Sequence, residues 1–180
     1  MERSVVIAGF GGQGVILAGK VLAQAGMDEG MDVTWLPSYG PEMRGGTANC
    51  TVVLSDEPVG SPVVDAPDAL IALNLPSLEK FEEQVAPGGS IVVNSSLVER
   101  AVERADVHAV GAPLNDLAVK AGNARTLNMA ALGALVRMTG IVPLEAAKRA
   151  MARMLTDSGK GKLVDVNEKA LQEGYDAIAE

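Results

Sequence analysis

Val5-Val6-Ile7-Ala8-Gly9-Phe10-Gly11-Gly12-Gln13-Gly14-Val15-Ile16 joins a β-branched apolar run to a glycine cluster and then to a second apolar run. That order predicts a first strand, a tight turn and a first helix of an α/β domain. Glycines without a Cβ let such a turn take positive φ and bring its backbone N–H groups close to a ligand. The helix that follows offers unpaired donors and a partial positive charge to an anion. Phosphate is the natural guest, and a purely structural tight turn is the competing reading.

The spacing Gly9-x-Gly11-x-x-Gly14 also fits the dinucleotide fingerprint, which is a weak signal by itself. A nicotinamide site wants a carboxylate at the end of the second strand to hold the ribose hydroxyls. The second strand is predicted over Met31 to Leu36, where the only acid, Asp32, stands at the beginning. This disfavours NAD, while Gln13 and the Gly11-Gly12 pair point to a backbone-lined pocket for another ligand.

A chain of 180 residues suits one domain over 1–180, with strand and helix patterns alternating throughout. Hydrophobic residues make up 48% but aromatics only 3%, so the core must be built from Ala, Val, Leu, Ile and Met. A net charge of −8 disfavours nucleic acid and anionic membrane as partners. The single cysteine, Cys50, leaves no disulfide framework, cysteine-type zinc site or iron–sulfur cluster for this chain alone. Met1 to Ser4 leads straight into a strand with no room for a cleavable signal, and no apolar run reaches the length of a membrane span. A cytoplasmic location is expected.

Pro37-Ser38-Tyr39-Gly40-Pro41-Glu42-Met43-Arg44-Gly45-Gly46 is too rich in Gly and Pro for a helix or strand. It packs an aromatic, a carboxylate, a thioether and a guanidinium into one loop. A solvated connector is the plain reading; a place beside the glycine turn, beyond the carboxyl ends of the strands, favours function. A strand is predicted from Thr47 to Ser55, with Cys50 packing as a small apolar side chain. Two short apolar strands then end in Asn74 and Asn94, and for each asparagine capping a turn is the simpler reading. A strand over Asp106 to Val110 holds the only histidine, His108, which has no Ser or Cys partner for nucleophilic catalysis.

From Pro113 the chain turns helical. Thr126 to Val136 is apolar and small-residue-rich with Asn128 inside it, which fits either a core helix or a subunit contact. A last helix is predicted to start at a capping Asn167, with Leu171, Tyr175 and Ile178 inward. The basic loop Ser158 to Lys162 reads as a solvated turn, with phosphate binding as the less favoured alternative. No metal cluster and no carboxylate pair suited to acid–base work stands out. The helices over Gly14 to Met27 and Leu127 to Val136 carry enough apolar surface to predict a partner.

Gly9-x-Gly11-Gly12-Gln13-Gly14 followed by Tyr39-Gly40-Pro41-Glu42-Met43-Arg44-Gly45-Gly46 resembles the γ subunit of the 2-oxoacid:ferredoxin oxidoreductases. The likeness runs over nearly the whole chain, through Ser55-Asp56-Glu57-Pro58, Pro87-Gly88-Gly89 and the helix with Asn128 and Gly133. The octapeptide from Tyr39 is the specific part. The fold expected is a three-layer, Rossmann-like α/β/α domain with a mostly parallel or mixed sheet.

The resemblance implies an assembly that turns a 2-oxoacid and coenzyme A into acyl-CoA and carbon dioxide and passes electrons to ferredoxin. It implies α, β and δ-type partner subunits that hold thiamine diphosphate and 4Fe–4S clusters, with a homodimer as the alternative state of the isolated chain. It implies no catalytic residue and no metal ligand here. It gives coenzyme A contacts to Gly9, Gly11, Gly12, Gln13 and Gly14, to Ser38, Tyr39, Gly40, Pro41, Glu42, Met43, Arg44 and Gly45, and to Asn128. A stand-alone nucleotide-dependent dehydrogenase and a non-catalytic scaffold are the rival readings.

Overall fold

Strand β1 (Glu2–Phe10) lies inside a six-stranded sheet and is buried from Val5 to Ala8. Because successive strand side chains point to opposite faces, Val5 and Ile7 enter one apolar cluster and Val6 and Ala8 another. A computed structural model describes residues 1–39 and 46–179.

The other strands are β2 (Asp32–Tyr39), β3 (Thr47–Ser55), β4 (Ala69–Ala72), β5 (Ser90–Asn94) and β6 (His108–Ala112), in the spatial order β2-β3-β1-β4-β5-β6. Strands β1, β4, β5 and β6 pair in parallel. β3 is antiparallel to both β1 and β2. The sheet is therefore mixed: α1 crosses over β3 to join β1 to β2, and α2 joins β4 to its parallel neighbour β5.

Helices cover the two faces unequally. Helices α1 (Val15–Asp28), α3 (Leu114–Ala121), α4 (Leu127–Thr139), α5 (Leu144–Asp157) and α6 (Val164–Asp176) all contribute to the cluster that contains Ile7, Cys50, Val52, Ile71 and Val92. The opposite face is covered by α2 (Leu75–Phe81), through Leu78 and Phe81, with Val85 and Val98.

This imbalance corrects one expectation. The ten residues from Leu127 to Val136 are all buried, so α4 is a core helix and its apolar surface is used up within the chain. The reason is α6, which crosses α4 at backbone contact: a Cβ on Gly133 would lie 2.0 Å from the Leu171 carbonyl oxygen, and one on Gly174 would lie 1.8 Å from that of Ala130. Surplus surface on α4 no longer argues for a partner.

Three boundaries also differ from expectation. β2 continues through Pro37 and Ser38 to Tyr39, because an edge strand tolerates proline where no ladder donor is needed. β6 begins at His108 rather than Asp106. α6 starts at Val164, so Asn167 lies within it and donates to the Leu163 carbonyl instead of capping the helix.

Candidate functional site at the carboxyl edge of the sheet

The turn after β1 is closed by the Gln13 N–H donating to the Phe10 carbonyl at 3.1 Å. Gly12 (φ 93°) and Gly14 (φ 77°) both adopt the left-handed backbone that glycine takes freely. Gly14 is also the N-cap of α1, where a Cβ would sit 2.4 Å from Asn128 Nδ2. Asn128 instead donates to the Gly14 carbonyl at 3.1 Å. A Cβ on Gly12 would meet nothing within 4 Å, so the tip of the turn borders open space. The N–H groups of Gly12, Gly14, Val15 and Ile16 donate to no described residue, which leaves a cluster of donors at the helix start.

Gln13 folds back beneath this turn. Its Oε1 accepts from the Phe10 N–H at 2.6 Å and from Asn74 Nδ2 at 3.1 Å, and its Nε2 donates to the Leu73 carbonyl at 3.4 Å. Gly9 makes room for it, since a Cβ there would lie 2.7 Å from Gln13 Oε1.

The same Leu73 carbonyl accepts from Asn94 Nδ2 at 3.1 Å. Asn94 is fully buried and fully bonded: Nδ2 also donates to Asn115 Oδ1, and its Oδ1 accepts from the N–H groups of Ser96 and Leu114. Both strand-terminal asparagines therefore do cap, Asn74 through Ser77 N–H and Asn94 through Ser96 N–H. They also belong to one amide network that links three neighbouring parallel strands, which the strand-final positions alone did not reveal.

The sheet topology marks this place. α1 leaves β1 for one face, and α2 leaves β4 for the other, although β1 and β4 are neighbours. Divergence of that kind marks the carboxyl ends of two strands as the place where open α/β sheets hold their ligands. The glycine turn and Asn74 stand at this point.

Of the residues expected in the site, Gly9, Gly11, Gly12, Gln13, Gly14 and Asn128 are brought together here. Ser38 lies at the same end of the sheet but pairs with Asn49 of β3, so β3 separates it from β1. The side chain of Tyr39 and the residues Gly40, Pro41, Glu42, Met43, Arg44 and Gly45 lie outside the described residues. The loop's last residue does reach the turn, because the Gly46 carbonyl accepts from the Gly11 N–H at 2.9 Å.

Asp32 is level with Glu2 and Ser55, at the opposite end of the sheet from Gly9, and its carboxylate accepts from the Val59 N–H. A ribose-binding acid is thus absent from the described end of β2, and the dehydrogenase reading loses its geometric basis. Cys50 lies under the first turn of α1, 3.6 Å from the Val15 carbonyl oxygen. Burial pushes its thiol up to about 12, only partly opposed by the Trp35 side chain. It packs as an apolar residue, as expected. Among the described residues, no group of three His, Cys, Asp or Glu could hold a metal ion, and no helix is long and apolar enough to cross a membrane.

Residues 4–177 match the pyruvate ferredoxin/flavodoxin oxidoreductase family. The chain belongs to that family. Among oxidoreductase relatives, the ketoisovalerate oxidoreductase subunit VorA of Methanothermobacter marburgensis is 43% identical over 175 residues, which cover 97% of this chain and 36% of VorA. The chain thus spans about a third of the length of the ketoisovalerate relatives it matches. The 2-oxoglutarate synthase subunit KorC of the same organism is 36% identical and is matched nearly end to end, over 100% of this chain and 98% of KorC. In structure, the γ subunit of a keto/oxoacid ferredoxin oxidoreductase from Geobacter sulfurreducens superposes with a TM-score of 0.83 at 32% identity, covering 97% of each chain. The 2-oxoglutarate:ferredoxin oxidoreductase from Magnetococcus marinus, with 2-oxoglutarate, coenzyme A and succinyl-CoA bound, gives a TM-score of 0.87 at 25% identity, over 99% of this chain and 32% of that one. The fold of that γ subunit therefore accounts for 97% of this chain.

Proposed function

We propose that this chain is the γ component of a 2-oxoacid:ferredoxin oxidoreductase, and that its own share of the work is to hold coenzyme A. The assembly would oxidatively decarboxylate a 2-oxoacid, form acyl-CoA and carbon dioxide, and deliver electrons to ferredoxin. Thiamine diphosphate and the 4Fe–4S clusters are assigned to α, β and δ-type partners, a division supported by the burial of the only cysteine beneath α1.

The observation that carries the coenzyme A role is the cluster of N–H groups of Gly12, Gly14, Val15 and Ile16 that donate to no described residue, at the point where α1 and α2 leave neighbouring strands for opposite faces. Phosphate oxygens would take those donors, and the dipole of α1 favours their charge. Asn128 and Gln13 would fix the turn from below. Arg44, two residues before Gly46 in the sequence, would supply a permanent positive charge to the same ligand.

Two assays test this. The chain co-produced with its partner subunits reduces a viologen dye in the presence of a 2-oxoacid and coenzyme A, and the isolated chain does not. Turnover by the isolated chain would overturn the reading.

A further inference from the structure

We propose that Asn74 is a positioning residue of the coenzyme A site, holding the glycine turn in its ligand-ready shape through Gln13; this rests on the function proposed above. Asn74 follows the end of β4, is 2% exposed, and uses its two amide atoms for different tasks. Oδ1 accepts from the Ser77 N–H at 2.9 Å and so caps α2 on one face of the sheet. Nδ2 donates at 3.1 Å to Gln13 Oε1, in the turn that feeds α1 on the other face.

Capping explains only the first of these bonds. Asp and Ser cap a helix as well as Asn does. Asp, however, carries no donor when ionised, and Ser places its hydroxyl one bond nearer the backbone. Asparagine is the cap that also reaches Gln13 with an N–H.

The turn needs such a prop. Two of its residues, Gly12 and Gly14, stand at positive φ, and glycine visits many other conformations as readily. Gln13 is the side chain that the turn sends into the fold, and its Oε1 holds the Phe10 N–H only while its own carboxamide is fixed. Leu73 and Asn74, just beyond β4, fix it in the slot left by the missing Cβ of Gly9.

The test uses the assembled complex carrying Asn74→Ser or Asn74→Asp, both of which keep the cap. The expected result is an unchanged melting temperature within a few degrees and unchanged turnover at saturating coenzyme A. The KM for coenzyme A rises about three- to tenfold for Ser, the scale of one lost hydrogen bond, and further for Asp, whose charge opposes the phosphates. An unchanged KM in both variants overturns the proposal, whether or not stability falls. Hydrogen exchange on the wild-type complex separates this from failure of the function itself. If coenzyme A does not protect the amides of residues 9–17, the proposed site is wrong; if it does and the Asn74 variants keep their KM, only the positioning role is wrong.

Discussion

Asn128 Nδ2 donates to the Gly14 carbonyl across a separation of 114 residues, at the point where a Cβ on Gly14 would lie 2.4 Å from the same nitrogen. One amide from a buried core helix therefore both requires glycine at the N-cap of α1 and ties the glycine turn to α4, on the same face of the sheet. The site's shape is set in part by a helix that follows β1 by more than a hundred residues.

From that contact follows a coupled pair of substitutions. Gly14→Ala combines positive φ with overpacking and is expected to cost about 2–4 kcal/mol. Asn128→Ala alone is expected to cost about 1 kcal/mol through one lost hydrogen bond. Denaturant unfolding of the double variant should give clearly less than the sum, since the second change removes the clash made by the first. Strict additivity would show that the two residues do not meet as described.

The α4–α6 crossing gives a stability prediction with a built-in control. Gly133→Ala and Gly174→Ala each drive a methyl group into opposing backbone and should cost about 3 kcal/mol or more, enough to reduce soluble yield. Gly60→Ala, where a Cβ meets nothing within 4 Å and φ is not positive, should stay within about 0.5 kcal/mol of wild type. Equal melting temperatures for all three variants would contradict the close approach of the helices.

Glu82 should govern part of the acid sensitivity. It is buried beside α2, where its carboxylate accepts from Arg100 Nη2 and from the Glu103 N–H, each at 2.6 Å. Burial pushes its pKa up, but Arg100 and the surrounding N–H groups outweigh that and hold it below the usual 4.5. A carboxyl with a depressed folded pKa stabilises the fold above the unfolded value and loses that contribution as pH falls through the folded one. Glu82→Gln should therefore cost about 2–3 kcal/mol near pH 7, and the gap from wild type should close below about pH 4. A gap independent of pH between 7 and 3 would rule out the charged form as its source.

Cys50 offers a probe of opening. With its thiol raised to about 12 and its side chain fully buried, it should resist a thiol-specific reagent at pH 8 in the native chain. Labelling should follow global unfolding and speed up with denaturant. Rapid labelling without denaturant would mean that α1 lifts from β3 far more often than the packing allows.

Arg44→Ala bears on the loop that precedes Gly46. In the proposed role it weakens coenzyme A binding by roughly 1.5–3 kcal/mol, or about ten- to a hundredfold, seen as a raised KM in an intact complex. A docking role would instead loosen assembly and lower activity at every coenzyme A concentration. Normal assembly with an unchanged KM would exclude the ligand-binding role.

What the sequence by itself determined is local. The glycine spacing and the β-branched run before it set the strand–turn–helix at Val5 to Ile16, because φ freedom and side-chain branching act within a few residues. The position of Asp32 already spoke against a dinucleotide site, and the lone Cys50 already read as a core residue. What only the tertiary structure decided depends on groups far apart in the chain. Whether Leu127 to Val136 faced the core or a partner turned on Gly174, which lets α6 press onto it. Whether β2 joined β1 directly turned on β3 entering antiparallel between them. Asn74 and Asn94 each read correctly as caps, but their second bonds run to Gln13, Leu73 and Asn115, and no local spacing encodes an amide whose partner arrives from another strand.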